Sequence, residues 1–156
     1  MAAVCVYCSS SDAIDPKYLQ LAKDLGRALV AGGHSLVTGG GAVSMMGAIA
    51  REVRAHGGRT IGVIPQALLD FEVGDRDADE LIVTTDMRTR KAAMDNAADA
   101  FIALPGGIGT LEELLEVWTS ASLAMHSKPV IVLDPWADFA PLRDRKSTRL
   151  NSSHTD

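Results

Sequence analysis

Six short apolar runs, at residues 2–8, 35–37, 60–64, 81–84, 100–104 and 129–133, alternate with segments whose apolar residues recur at helical spacing. Near-continuous apolar strands separated by helices predict a mostly parallel sheet with helices on both faces, a doubly wound, Rossmann-like α/β fold. The first helix is the best punctuated. Asp15 is its cap and Pro16 its first turn, Tyr18, Leu21, Ala22, Leu25, Ala28 and Leu29 form one stripe, and Gly32-Gly33 stops it. Further helices are expected near 45–56, 88–98 and 111–123. Residues 66–80 are acidic and weakly periodic, which suits a loop with one helical turn at a pocket rim. Ligands of such folds bind beyond the carboxyl ends of the strands, where Gly39 and Pro105 stand.

The length of 156 residues suits about one domain, and 47% hydrophobic content is enough for a core. We expect one nucleotide-binding α/β domain over 1–142, followed by a disordered tail over 143–156, a stretch with no periodicity and almost no apolar content. The formal charge is −5; the tail contributes +2, so the body carries −7, which disfavours nucleic acid as a partner. No apolar stretch reaches membrane-spanning length and the start lacks the pattern of a secretory signal, so a soluble, cytoplasmic protein is expected. Cys5 and Cys8 form a C-x-x-C, but on a strand positions i and i+3 point to opposite faces. Without a second cysteine pair, both are expected in the core and no metal site is assigned.

The sequence Pro-Gly-Gly-Ile-Gly-Thr-Leu-Glu-Glu at 105–113 follows a strand and opens a helix expected to begin near Leu111. Gly106, Gly107 and Gly109 allow close approach of a ligand, and a helix start offers free N–H groups with the positive end of the dipole, so a phosphate is expected there. Glu113, one turn in, is placed to act on whatever that phosphate anchors. Capping competes with this reading, since Thr110 and Glu113 match a capping box, but a cap needs no three glycines.

Gly39-Gly40-Gly41, with Gly47 further on, forms a second glycine turn between strand and helix. It serves either the same ligand or a tight turn with close helix packing. A dinucleotide site is disfavoured because the next strand ends in Ile64 and Pro65 and not in an acid, and no Walker A lysine follows. Arg88, Arg90 and Lys91 crowd a helix start, against the dipole, so an anion is expected to compensate them. Arg90 shares the face of Ala93, Met94 and Ala97 and should point inward. His34, His56, His126 and His154 have no partner at ligand spacing, and none is assigned to catalysis. Trp118 joins Leu111, Leu114, Leu115 and Ser122 in a stripe that is core or subunit interface.

These motifs together resemble the LONELY GUY family of cytokinin riboside 5′-monophosphate phosphoribohydrolases, which also carries the label lysine decarboxylase. The resemblance rests on Pro-Gly-Gly-x-Gly-Thr-x-x-Glu at 105–113, Met-x-x-Arg-Lys at 87–91, the triple-glycine loop at 39–46, residues 5–10, and Pro-x-x-Leu-x-x-x-Glu at 65–72. It covers about residues 4–142 and implies cleavage of the N-glycosidic bond in an N6-substituted adenosine 5′-monophosphate, giving free base and ribose 5-phosphate. It further implies Arg90 and Glu113 in catalysis, Glu72, Lys91, Gly40 and Gly41 at the substrate, Gly106, Gly107, Ile108, Gly109 and Thr110 around the phosphate, no cofactor, and a homodimer. Members continue in helical sequence beyond the equivalent of Leu142, so the tail is expected to be foreign, from a truncated or mis-joined frame. A non-catalytic nucleotide or cofactor carrier would use the same two loops. A pyridoxal-phosphate decarboxylase would need a Schiff-base lysine, for which Lys91 is the candidate.

Overall fold

The structure, a computed structural model, describes residues 1–71 and 74–142. Glu72 and the tail from residue 143 therefore lie outside the described residues. Strands β1 (Ala3–Tyr7), β2 (Ser35–Thr38), β3 (Thr60–Pro65), β4 (Glu80–Thr84), β5 (Ala100–Ala103) and β6 (Val130–Val132) alternate with helices α1 (Pro16–Ala31), α2 (Ser44–Ala55), α3 (Gln66–Phe71), α4 (Met87–Ala97) and α5 (Ile108–Ser122). All strand pairs are parallel, in the order β4-β3-β2-β1-β5-β6. The chain runs outward from β1 in one direction, then returns to β5 on its other side. That reversal opens a crevice at the carboxyl ends of β1 and β5, the place where doubly wound folds hold ligands.

The sheet separates two cores. Val4, Val6 and Cys8 pack with Leu29 of α1 and Ile49 and Val53 of α2, whereas Cys5 and Tyr7 pack on the opposite face with Met94 of α4 and Leu114 and Val117 of α5. The two cysteines thus diverge as strand geometry requires, each buried in its own core. No cluster of potential metal ligands occurs among the described residues.

Punctuation of α1 follows the sequence: the Asp15 side chain accepts from the Lys17 N–H at 2.9 Å, Pro16 opens the helix, and Gly33 takes φ +74° beyond its end. Residues 66–71 form a six-residue helix with no buried residue, so the apolar stripe that would have announced it does not exist. The helix after Pro105 begins at Ile108, three residues earlier than expected, with Gly107 as its N-cap. Thr110 consequently lies inside the first turn, and the capping-box geometry is absent.

Candidate functional site at the carboxyl edge of the sheet

The four longer helices treat their starts in two ways. Asp15 caps α1, and Asp86 caps α4 by accepting from the Thr89 N–H at 2.7 Å, so carboxylates already occupy those positive ends. The starts of α2 and α5, each preceded by a glycine loop, carry no side-chain cap. At α5 the first helical bond runs from the Leu111 N–H to the Gly107 carbonyl (3.1 Å), leaving the N–H groups of Ile108, Gly109 and Thr110 without helical acceptors.

The glycines divide by cause. A Cβ on Gly39 would stand 1.9 Å from the Arg90 Nη2, Gly40 holds φ +80°, and a Cβ on Gly47 would meet the Ala42 carbonyl at 2.1 Å. Packing and backbone conformation thus account for Gly39, Gly40 and Gly47. Gly40 and Gly41, expected at the substrate, are buried, and Gly41 bridges to Gly74. In the second loop, Gly106 makes room for the Thr110 side chain, whose hydroxyl would lie 2.1 Å from a Cβ there. Gly107 and Gly109 are different: each is exposed, neither has positive φ, and an added Cβ would meet nothing within 4 Å. Nothing inside the described fold requires glycine at these two positions. Their open, exposed backbone leaves room for an external group to approach closely.

Arg90 points inward, as its helical face predicted. It is 7% exposed, its Nε donates to the Val63 carbonyl at 3.0 Å and its Nη2 to the Gly39 carbonyl at 2.8 Å. Those bonds fix the guanidinium at the ends of β2 and β3. The neighbouring cations diverge, because Arg88 is exposed, while the Lys91 ammonium is bound by Glu112 and Glu116 of α5. Both carboxylates raise the Lys91 pKa, the reverse of what a Schiff-base amine needs.

Glu113 accepts no hydrogen bond from another side chain or backbone group among the described residues, and it lines a narrow crevice with Tyr7, Lys91, Asp95, Glu116 and Val117. Burial pushes its pKa up to about 7, a rise that the Arg90 guanidinium partly opposes. Asp95, also raised by burial, takes a long hydrogen bond from the Tyr7 hydroxyl (3.4 Å). On the other side of the 105–109 loop, a cavity of about 300 Å³ is lined by Ser9, Ser11, Tyr18, Met45, Gly106 and Gly107. Ser44, in positive φ, donates to the Ser11 carbonyl at 2.5 Å, tying the α2 start to the loop after β1.

Sequence reasoning missed the support beneath the first glycine loop. Arg54 of α2 grips Asp75 through two bonds of 2.7 and 3.0 Å, and the Asp75 N–H donates to the Gly40 carbonyl at 2.8 Å. The partners are 21 residues apart and share no periodic pattern, so only tertiary structure reveals them. His34 accepts from the Ala2 N–H and His126 bonds to the Val117 carbonyl, structural roles for both.

Sheet order, uncapped glycine-loop helix starts and an inward arginine together define a doubly wound α/β protein whose helix starts leave N–H groups open to an anion. Comparison with known proteins makes this specific. A family model described as possible lysine decarboxylase matches residues 46–154. A cytokinin riboside 5′-monophosphate phosphoribohydrolase of Mycobacterium marinum is 54% identical over 140 residues, covering 90% of this chain and 74% of the relative. One of the same name from Mycobacterium tuberculosis is 51% identical over 140 residues, with the same coverage of each chain. Among solved structures, the molybdenum cofactor binding protein of Rippkaea orientalis superposes with a TM-score of 0.70 at 26% identity, covering 99% of this chain and 97% of that one. The chain belongs to the LONELY GUY family of cytokinin riboside 5′-monophosphate phosphoribohydrolases.

Proposed function

We propose that this chain hydrolyses the N-glycosidic bond of N6-substituted adenosine 5′-monophosphates, releasing the base and ribose 5-phosphate. The observation that carries the reading is Glu113: a half-buried carboxyl whose pKa burial pushes up to about 7, five residues after an uncapped helix start whose glycines are exposed without internal cause. In this reading the 5′-phosphate accepts from the N–H groups of 108–110 and lies against Gly106, Gly107 and Gly109. The C1′–N9 bond breaks with its electron pair leaving on the base, which takes up a proton, and positive charge develops on the ribose. Ionised Glu113 stabilises that charge and accepts a proton from the water that adds to C1′. Arg90, fixed by two backbone carbonyls, supplies the cation that keeps part of Glu113 ionised at neutral pH. Residues 1–142 act as one nucleotide-binding unit.

The same reading makes the enzyme a cytoplasmic homodimer. Supporting it, no described helix is long and apolar enough to cross a membrane, and Leu115, Leu123 and Met125 expose apolar surface at and beyond α5.

Purified protein incubated with AMP and with N6-prenylated AMP should release free base, faster from the prenylated nucleotide. Binding of both nucleotides without base release would instead assign the chain a non-catalytic binding role, as the name of the Rippkaea protein describes for its cofactor. A second expectation isolates the phosphate contact. Gly109→Ala should leave stability unchanged or raise it by up to about 1 kcal/mol, because alanine suits a helix better than glycine. Nucleotide affinity should nevertheless fall at least about tenfold, since the new methyl occupies the space of the phosphate. Unchanged affinity, read by calorimetry, would move the phosphate elsewhere.

A further inference from the structure

The ion pairs of Lys91 with Glu112 and Glu116 show which face of α4 meets α5. Asp95 lies one turn further along that face and lines the same narrow crevice as Glu113. Tyr7 of β1 holds it there, its hydroxyl donating to Oδ1 at 3.4 Å, while the Lys128 ammonium donates to the Asp95 main-chain carbonyl at 2.7 Å. Among the described residues no cation forms an ion pair with the Asp95 carboxylate, so a half-buried charge stands beside Glu113 with only a neutral phenol bound to it. We propose that Asp95 is a positioning residue for base release: held by Tyr7 and α4, it sets a second negative charge against Glu113 and thereby fixes the lower pH limit of the reaction. The inference rests on the reading that Glu113 takes up the proton of the attacking water.

The groups around Glu113 decide the sign of the effect. Arg90, Lys91 and Asp95 face it from α4, Glu112 and Glu116 belong to its own helix, and Cys5, Tyr7 and Cys8 approach it from β1 and the residue beyond. Burial keeps the two thiols and the phenol neutral, so they add no charge. Arg90 and Lys91 favour the ionised form of Glu113, whereas Glu112 and Asp95 oppose it. Glu112 and Lys91 are bound to each other, so their effects on Glu113 offset one another. Asp95 brings a charge that no bound cation cancels. Burial and Glu116 work against that charge, but the Tyr7 hydrogen bond, Lys128 and His126 favour it.

Asp95→Asn removes the charge while keeping the shape of the side chain and an acceptor for the Tyr7 hydroxyl. In the ligand-free full chain, carbon NMR of the Glu113 carboxyl, assigned by its loss in Glu113→Gln, should show the titration midpoint lower by at least about half a pH unit in this variant. Asp95→Ala, neutral and well suited to a helix, should reproduce the shift. Asp24→Asn, which removes an exposed carboxylate of α1, should leave the midpoint in place and so separate a local charge from net charge. With a wild-type midpoint of about 7, the shift converts to a kcat about two- to threefold higher at pH 6 for N6-prenylated AMP, with kcat at pH 8 unchanged and KM within about twofold. A residue that merely supported the fold would lower kcat at every pH. A midpoint unmoved or raised in both neutral variants would overturn the proposal. A lower midpoint without the gain in kcat at pH 6 would overturn the role in base release. A wild type that binds nucleotide and releases no base would refute the proposed reaction, and the NMR midpoints would still decide whether Asp95 holds its charge against Glu113.

Discussion

Glu113→Gln is expected to lower base release by about 10²- to 10⁴-fold while leaving nucleotide binding measurable, the usual range for removing a positioned proton acceptor. The amide keeps the shape of the side chain and leaves the glycine loop and its N–H groups in place, so the loss should fall on kcat. The same substitution carries an opposite expectation for stability. Burial raises the Glu113 pKa from its ordinary 4.5 to about 7, so the folded state holds this proton more tightly than the unfolded one. Below pH 4.5 both states are protonated and the group costs nothing. Between pH 4.5 and 7 the unfolded state ionises this carboxyl while the folded state keeps it protonated, so stability falls by up to roughly 3 kcal/mol across that window and levels off above pH 7. Glutamine is not subject to that loss. Urea unfolding should therefore find the variant more stable than the wild type above pH 7 and equal to it near pH 4. A variant that is inactive but no more stable at pH 8 would mean that Glu113 is not held against its charge, and the acid–base role would fail. Full turnover by the variant would remove it from the mechanism altogether.

What could be read without coordinates was whatever repeats or sits at a junction. Strand-helix alternation determined the parallel sheet because a strand buried on both faces must be apolar throughout, and Arg90 was directed inward because it shares a helical face with Met94, which is fully buried. The start of α5 was misplaced for a physical reason. Gly107 is extended and Gly109 is helical, but glycine announces neither conformation, so a three-glycine stretch conceals where a helix begins. The capping aspartate of α4 was visible as Asp86 before a helical run and went unread. The ion-pair partners of Lys91 were hidden for a different reason: they lie on another helix, and a short motif cannot show which groups surround an ammonium. Gly40 illustrates the same limit, since a glycine that positive φ and a close neighbour require and one that a ligand requires look alike in one dimension.

Arg54→Met is expected to destabilise the protein by about 3–5 kcal/mol, the cost of leaving one partner of a buried ion pair uncompensated, against a total stability on the order of 5–15 kcal/mol. Asp75 is 5% exposed and both its carboxylate oxygens bind the Arg54 guanidinium, which also donates to Thr60 at 3.1 Å. Methionine fills the arginine stem but offers no donor, so the carboxylate would be buried alone. The loss should reach the site, because the Asp75 N–H holds the Gly40 carbonyl and Gly74 bridges to Gly41, while the Gly39 carbonyl next in line anchors Arg90. Nucleotide turnover should therefore fall in the single variant even where it remains folded. Arg54→Met/Asp75→Leu separates the charge from the scaffold: an apolar pair of similar volume removes both ions, and the backbone bond from residue 75 to Gly40 survives. Most of the lost stability and turnover should return in the double variant, giving a coupling of at least about 2 kcal/mol in the cycle. Additive losses would show that Arg54 and Asp75 act independently, and the glycine loop would then owe its position to its own packing against Ile64 and Arg90.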